Sequence, residues 1–133
     1  SRAGAPIGAG SFETVITELT SDKGWADAFT GCDYVIHTAS PFPTGPGSEE
    51  ALLKPATEGT LRVLRAARDS AVRRVVVTSS FGAVGYGYPD HHPCFDESNW
   101  TDIESNDVTA YIKSKTLAER AAWKFLEEGA AAL

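Results

Sequence analysis

Residues 73–80 read Arg73-Arg74-Val75-Val76-Val77-Thr78-Ser79-Ser80, a basic pair, three β-branched residues and a run of hydroxyls. A short apolar run with polar residues on both sides is typical of a buried strand, here predicted over 75–78. Tyr34-Val35-Ile36-His37 has the same character, and its continuous apolar run predicts a strand buried on both faces of a parallel sheet. Residues 12–19 alternate around β-branched residues and predict one more strand.

Helical patterns separate these strands. Thr20-Ser21-Asp22 is predicted to cap a short helix over 24–29. Residues 49–69 are the longest helix candidate, and Pro55 should kink this helix or mark its first turn. The residues expected to face inward are Trp25, Ala28 and Phe29 in the short helix, and Leu52, Leu53, Ala56, Leu61, Leu64 and Ala67 in the long one.

A long connection, residues 81–107, follows the 75–78 strand and is predicted to be functional because most connections in α/β units are short. Asp107 or Thr109 should then cap a last helix that runs to about residue 128. The alternation of strands and helices predicts an α/β protein with a doubly wound parallel sheet, in one domain over residues 1–133. The expected core stripe of the last helix is Ala110, Leu117, Ala118, Ala121, Phe125 and Leu126.

Composition argues against several classes of partner. The chain has 133 residues and a net charge of −6, so nothing in it favours nucleic acid or an anionic membrane surface. No apolar run approaches the ~20 residues of a membrane span. Two cysteines are too few for a disulfide framework and indicate a reducing compartment, the cytoplasm. Residues 1–10 are interpreted as a flexible leader, because Gly8-Ala9-Gly10 precedes a predicted strand instead of following one.

The two ends of the stretch 75–115 carry the main candidate chemistry. Tyr111 and Lys115 are four residues apart, so they lie on one face of the last helix. A nearby ammonium favours the phenolate form of a tyrosine, which suits proton exchange with a carbonyl or alcohol oxygen. Ser80 at the strand end can donate to that same oxygen. A surface Tyr/Lys pair and plain strand termination by small polar residues are the structural alternatives.

Together, Thr78-Ser79-Ser80 and Tyr111-x-x-x-Lys115 resemble the extended short-chain dehydrogenase/reductase family, within the NAD-dependent epimerase/dehydratase superfamily. The similarity is greatest to its dihydroflavonol-4-reductase-like and fungal carbonyl-reductase branch, and it covers nearly all of residues 15–128. The other matching stretches are Asp33-Tyr34-Val35-Ile36-His37-Thr38-Ala39-Ser40-Pro41, Pro55-Ala56-Thr57-Glu58-Gly59-Thr60, Phe95-Asp96-Glu97-Ser98-Asn99-Trp100 and Ser114-Lys115-Thr116-Leu117-Ala118-Glu119.

This resemblance implies a Rossmann-like fold and a role for each matching residue. Ser80 would polarise a substrate carbonyl, Tyr111 would be the general acid/base, and Lys115 would activate Tyr111 and bind the nicotinamide ribose. The cofactor would be NADP, with NAD as an alternative, and the substrate a small-molecule ketone or aldehyde. The residues implied to line the cofactor are Thr38, Ala39, Ser40 and Ser79, with Glu18 and Leu19 against the adenine, where Glu18 replaces the family's usual aspartate.

Two departures from the family pattern concern what the chain lacks. It contains no Gly-x-x-Gly-x-x-Gly turn and no counterpart of the family's first two strands, so we expect a piece of a longer protein with strands 3, 4 and 5 of the order 3-2-1-4-5-6. Strand 12–19 should then stand about 14 Å, three strand spacings, from Tyr34-Val35-Ile36-His37. The resemblance also implies a homodimer through the two long helices.

Other readings remain open at this level. A sugar-nucleotide epimerase/dehydratase or a hydroxysteroid-type dehydrogenase would share the Ser/Tyr/Lys set, and a truncated chain could be catalytically silent or serve as a binding module. His91-His92-Pro93-Cys94 fits no standard zinc spacing and is interpreted as a solvent loop, so no metal site is predicted. His37 is interpreted as a packed histidine. Residues 85–88 are expected to shape the substrate side, and residues 95–100 to pack the long connection onto the sheet.

Overall fold

The structure is a computed structural model that describes residues 13–42, 48–89 and 94–130. Helix α1 (Trp25–Phe29) leads to strand β1 (Tyr34–His37), helix α2 (Glu50–Asp69) and strand β2 (Arg74–Val77). A 3₁₀ turn (Phe81–Ala83) and helix α3 (Ala110–Phe125) follow, and a wider π turn (Leu126–Ala130) ends the described chain. The predicted leader 1–10 and residues 91–93 of the histidine segment lie outside these ranges.

Strands β1 and β2 form a parallel pair in which Ile36 lies opposite Val76. Thr78 N donates to His37 O, so the pairing continues by one residue beyond β2. The parallel α/β arrangement is therefore confirmed, and the predicted strand bounds are right for β1 and one residue late for β2. The result is an incomplete Rossmann-like domain, with both strands ending at the same edge.

The prediction that β1 is buried on both faces is wrong. His37 is 7% exposed, whereas Tyr34 and Ile36 are 64% and 72% exposed, and Val76 of β2 is 52% exposed. Since alternate side chains point to opposite faces of a strand, the helices of the described chain cover only one face of this sheet. An apolar run is compatible with burial on both faces of a strand, but burial also requires a helix or another element that packs on each face.

The strand predicted over 12–19 is also wrong for the described residues 13–19, which form no strand. Val15 and Ile16 are 46% and 87% exposed there. A strand is stable only when a neighbour satisfies its backbone groups, and no described strand pairs with this segment. Its direct pairing with β1, which would contradict the expected strand order, is likewise not observed in the part of the chain described.

Helix α2 forms because its buried residues recur at helical spacing. They are Ala56, Gly59, Thr60, Val63, Leu64 and Ala67, and they give the helix one continuous stripe for packing against α3. Leu52, Leu53 and Leu61 of the predicted inner face are only half-buried. The helix neither begins nor breaks at Pro55. Pro55 is the sixth residue, so the lost backbone bond is the one that Ala51 would accept near the helix start.

The segment before α1 is attached to α2. Arg62 donates through Nη1 to Leu19 O at 2.7 Å and through Nε to Asp22 Oδ1 at 2.5 Å. Leu19 packs so closely on Gly59 that a Cβ there would lie 2.8 Å from Leu19 Cδ2. The predicted cap by residues 20–22 is wrong, because Gly24 occupies that position with a φ of 82° and makes no side-chain bond.

Thr109 caps α3, with Thr109 Oγ1 accepting from Ile112 N at 3.3 Å. The expected apolar stripe of this helix is only half-buried, and the buried residues are the polar Ser114, Lys115 and Thr116. Thr116 Oγ1 contacts Gly82 O of the 3₁₀ turn and Lys115 lines a cavity at the strand ends, so α3 packs this polar face inward. Within the described ranges, no helix is long and apolar enough to cross a membrane.

Residues 94–101 pack against the 3₁₀ turn and α3, which differs from the predicted packing onto the sheet. The Phe95 ring lies 5.6 Å from Phe81 and 5.1 Å from Tyr88, edge to face, and Arg120 of α3 lies over the Trp100 ring at 5.1 Å. Aromatic pairs at these distances stabilise the connection beyond the area that they bury.

Replacing Thr101 by valine should destabilise this connection. Thr101 is 0% exposed, its Oγ1 donates to Gly82 O at 2.8 Å, and the same atom accepts from Tyr86 N at 3.1 Å. Thr101→Val keeps the shape but leaves Tyr86 N–H without this partner, so the free energy of unfolding should fall by about 1–3 kcal/mol. Urea denaturation of the 133-residue chain measures this loss. Thr57→Val on half-buried α2 is the matched control, and an equal loss in both variants would contradict the assignment.

Candidate active site

Ser80 stands where β2 has ended and the 3₁₀ turn begins. Its Oγ accepts from Gly82 N at 3.1 Å and thereby caps the turn. A serine hydroxyl has one donor and two acceptor sites, so this bond leaves the hydroxyl hydrogen available. In the described chain that hydrogen is not committed to another group, and it can be donated to a ligand oxygen.

The 3₁₀ turn holds Ser80 beside the first turn of α3. Thr116 Oγ1 of α3 donates to Gly82 O at 3.3 Å. A Cβ at Gly82 would lie 3.5 Å from Ile112 Cγ1, so the backbone of the turn packs directly on the residue after Tyr111. The two ends of the stretch 75–115 therefore come together, as the sequence interpretation requires.

Tyr111 and Lys115 share one face of α3, with Lys115 Nζ 5.8 Å from the centroid of the Tyr111 ring. Lys115 is 8% exposed, and burial lowers its pKa. In the described ranges the ammonium makes no hydrogen bond and no ion pair, apart from this approach to the Tyr111 ring. Because buried ammonium groups are normally paired, an unpaired one beside a cleft is a candidate ligand-binding group.

Most of the residues predicted to line the cofactor lie at the same edge. Ala39, Ser40, Ser79 and Lys115 line a cavity of about 20 Å³, here called the Lys115 cavity, whose remaining polar lining is His37, Thr60, Thr78 and Glu119. Thr38 and Ala39 line a neighbouring groove of about 190 Å³ on the side of β1 that faces Thr17.

Glu18 and Leu19 lie apart from this cavity. Leu19 packs on Gly59 of α2, while Glu18 is exposed and its carbonyl accepts from Ser21 N. The structure therefore brings the Ser/Tyr/Lys set and the strand-end residues together, whereas the two residues predicted for the adenine line neither the Lys115 cavity nor the β1 groove.

Two residues that contact the site were not predicted from the sequence. Ser79 Oγ donates to Glu119 Oε2, and Trp123 Nε1 donates to Glu119 Oε1 at 3.3 Å, which links the end of β2 to α3. Glu119 follows Lys115 by four residues, so helical spacing alone could have placed both on one face. His37, interpreted as packing, is 7% exposed and lines the Lys115 cavity.

Phe42 adds an apolar wall. Its ring is 70% exposed and stands edge to face with Tyr111 at 5.4 Å. Phe81, directly after Ser80, is 60% exposed. Phe42 thus contacts Tyr111 directly, whereas the Phe81 ring packs on Tyr86 and Phe95.

Parallel strands that end in hydroxyls, with a buried ammonium and a tyrosine at that edge, are typical of Rossmann-like domains. The chain belongs to the NAD dependent epimerase/dehydratase family, whose model matches residues 2–132. The family predicted from the motifs is thus confirmed.

Curated relatives include several reductases. The chain is 39% identical over 127 residues to an anthocyanidin reductase ((2S)-flavan-3-ol-forming) of Vitis vinifera, covering 90% of this chain and 38% of that protein. It is 46% identical over 121 residues to tetraketide alpha-pyrone reductase 1 of Arabidopsis thaliana, covering 86% and 36%. The chain therefore spans less than two fifths of the length of these relatives.

Solved structures with a Rossmann-like fold match the structure of this chain. Yeast methylglyoxal/isovaleraldehyde reductase Gre2, complexed with NADPH, matches with a TM-score of 0.73 and 32% identity, covering 87% of this chain and 38% of that one. MoeE5 in complex with UDP-glucose and NAD matches with a TM-score of 0.67 and 24% identity, covering 95% and 40%, and this match shows the fold alone.

Proposed function

We propose that this chain is the reacting part of a short-chain reductase that uses NADPH to reduce a ketone or aldehyde. The observation that carries the proposal is the buried Lys115 ammonium, which has no hydrogen bond or ion pair among the described residues and shares one helix face with Tyr111, next to the turn that presents Ser80. An unpaired buried cation is unfavourable unless a ligand pairs with it, and the ribose hydroxyls of a nicotinamide cofactor offer suitable acceptors. The reductases to which this chain is similar support the choice of carbonyl reduction as the reaction.

The three residues divide the proton chemistry. The Ser80 hydroxyl donates to the carbonyl oxygen and polarises the carbonyl bond. Tyr111 then gives its phenolic proton to that oxygen, and the Lys115 charge stabilises the phenolate that remains. The nicotinamide, when bound, supplies the hydride that the carbonyl carbon accepts. The substrate gains one hydride and one proton, which converts the carbonyl to an alcohol.

The cofactor would be held by residues at the strand ends. Lys115 offers its ammonium hydrogens to the ribose hydroxyls, and Thr38, Ala39, Ser40 and Ser79 line the path beside it. Glu18 and Leu19 would meet the adenine. NADPH is proposed ahead of NADH because yeast Gre2, a solved structure at 32% identity to this chain, is complexed with NADPH. We also propose that the protein is located in the cytoplasm and forms a homodimer through α2 and α3.

The walls of the site favour an apolar carbonyl compound as substrate. Phe42 presents an exposed ring against Tyr111, and the ring of Phe81, the residue after Ser80, is 60% exposed. Burying such rings against a ligand gains free energy only if the ligand is itself apolar or aromatic, at roughly 25 cal/mol per Å². A sugar nucleotide, the alternative substrate of the family, would leave these rings against hydroxyl groups.

NADPH binding tests which part of the cofactor site this chain supplies and which part requires the full-length protein. The full-length protein should bind NADPH in the micromolar range and oxidise it with apolar aldehydes or ketones. The 133-residue chain contains no Gly-x-x-Gly-x-x-Gly turn to hold the pyrophosphate, and it should bind NADPH far more weakly. Fluorescence titration and calorimetry on both proteins measure the affinities. Micromolar binding by the short chain would contradict the second expectation.

Two results with the full-length protein would contradict the proposed carbonyl reduction. A full-length protein that converts UDP-glucose and leaves a panel of aromatic and aliphatic carbonyl compounds unchanged would be an epimerase or dehydratase. A full-length protein without NADPH affinity or turnover would be catalytically silent.

A further inference from the structure

The Lys115 cavity is lined by two buried nitrogen side chains from different elements. His37 ends β1 and is 7% exposed, and Lys115 belongs to α3 and is 8% exposed. Neither side chain makes a hydrogen bond or an ion pair within the ranges that the structure describes. More than nine tenths of buried polar groups in proteins have such a partner, so two without one on a single cavity require a physical explanation.

The other polar groups of the cavity do not supply that partner. Among the described residues Glu119 is the carboxylate that lines it, and its oxygens accept from the Ser79 hydroxyl and the Trp123 indole while making no hydrogen bond or ion pair with Lys115 or His37. Thr60 Oγ1 donates to Ala56 O at 2.9 Å, which leaves its lone pairs able to accept. The cavity therefore offers donors from Lys115, and it offers acceptors from Thr60, from the remaining lone pairs of Glu119 and from an uncharged His37.

His37 is suited to be that acceptor. Burial, and after it the charge of Lys115, lowers the pKa of His37. A neutral imidazole carries one nitrogen with a free lone pair, whereas the protonated ring carries only donors. The cavity volume of about 20 Å³ matches a single water molecule, and buried waters make two to four hydrogen bonds.

We propose that one buried water molecule in the Lys115 cavity accepts from the Lys115 ammonium and donates to His37 and Thr60, which makes His37 a positioning residue for Lys115. The water holds the ammonium from behind and leaves its other hydrogens free for a ligand. The catalytic consequence rests on the proposed reductase function, whereas the water bridge itself is a property of this chain.

The bridge has a defined pH dependence. Among the described residues, the titratable groups that line the cavity with His37 are Lys115 and Glu119 of α3, while α2 adds Ala56 and Thr60, and β2 with the two residues after it adds Val77, Thr78 and Ser79. Protonation of His37 would turn its acceptor nitrogen into a donor and place a second positive charge beside Lys115. The bridge is therefore intact above the lowered pKa of His37 and is lost as the pH falls through it.

Lysine side-chain NMR on three variants of the 133-residue chain tests the proposal without any activity measurement. His37→Leu removes the acceptor at similar volume, while His37→Asn and His37→Gln each retain an oxygen that can accept in the place of one ring nitrogen. The pKa of Lys115 should shift downward in His37→Leu, because its ammonium loses a hydrogen-bonded water, and at least one amide variant should restore it. A packing role would leave the pKa of Lys115 unmoved in His37→Leu, and that result would overturn the proposal.

A crystal structure of the unmodified chain provides the second readout, which is independent of whether the leucine variant folds. One ordered water within hydrogen-bond distance of Lys115 Nζ and a ring nitrogen of His37 supports the proposal. A dry cavity, a direct Lys115–His37 contact, or a water that touches only one of the two side chains would overturn it. Neither readout depends on turnover, so a failed reductase assay and a failed water bridge are distinguishable.

Discussion

Tyr111→Phe in the full-length protein should lower the rate of carbonyl reduction by about 10²–10⁴-fold, the usual contribution of a general acid. The phenolic oxygen is the only atom removed, and the ring keeps its edge contact with Phe42 at 5.4 Å. Lys115, the group proposed for the cofactor ribose, is unchanged. The affinity for NADPH should therefore remain within a small factor of the original.

Stopped-flow turnover and fluorescence titration separate these two quantities. Tyr34→Phe is the matched control, since Tyr34 lies at the opposite end of β1 and is 64% exposed. This control should leave both rate and affinity unchanged. If Tyr111→Phe weakened NADPH binding as strongly as it slowed reduction, Tyr111 would be a binding group, and the general-acid role would be wrong.

The sequence predicted the elements of this fold where the chain supplies their packing partners. Tyr34–His37 and Glu50–Asp69 form as expected because a parallel neighbour and a facing helix exist for them. Residues 13–19 have equal strand character but no described neighbour, and they remain irregular. Local pattern reports what a segment can form, while pairing decides whether the segment forms it.

Prediction of the candidate site was limited in the same way, because some of its residues are brought together only by tertiary structure. Motif spacing brought Ser80, Tyr111 and Lys115 forward, since a strand end and a helical i, i+4 pair can be read from the sequence. The contribution of Glu119 and His37 depends on which residues of β1, β2 and α3 meet around the Lys115 cavity. That meeting is tertiary: the i, i+4 spacing could place Glu119 on the same helix face as Lys115, but it could not show that Glu119 or His37 lines the cavity.

Lys115→Met should affect function and stability in opposite directions. Methionine keeps most of the side chain's length but removes the charge, so NADPH affinity and turnover should both fall, each by tenfold or more, on the order of one lost charge-assisted contact. The ammonium is 8% exposed with no ion pair in the described chain, and it is unfavourable in the free protein. The free energy of unfolding of the variant should therefore rise at neutral pH.

The pH dependence of that gain follows from the lowered pKa of Lys115, whose cause is burial. In the unfolded chain the pKa of Lys115 is about 10.4. Between the lowered pKa and this value, the unfolded wild type binds more protons than the folded one, so the free energy of unfolding of the wild type rises with pH. The advantage of Lys115→Met is full below the lowered pKa and should shrink as the pH rises above it. Urea denaturation across this range measures the difference.

Lys113→Met is the matched control two residues away. Lys113 pairs with Glu49 at 2.9 Å, and that hydrogen bond raises its pKa, so its loss should slightly lower stability and leave NADPH affinity unchanged. A structural lysine at position 115 would behave like this control. If Lys115→Met destabilised the protein and left NADPH affinity intact, the ammonium would serve the fold, and the assignment of Lys115 to the cofactor would be wrong.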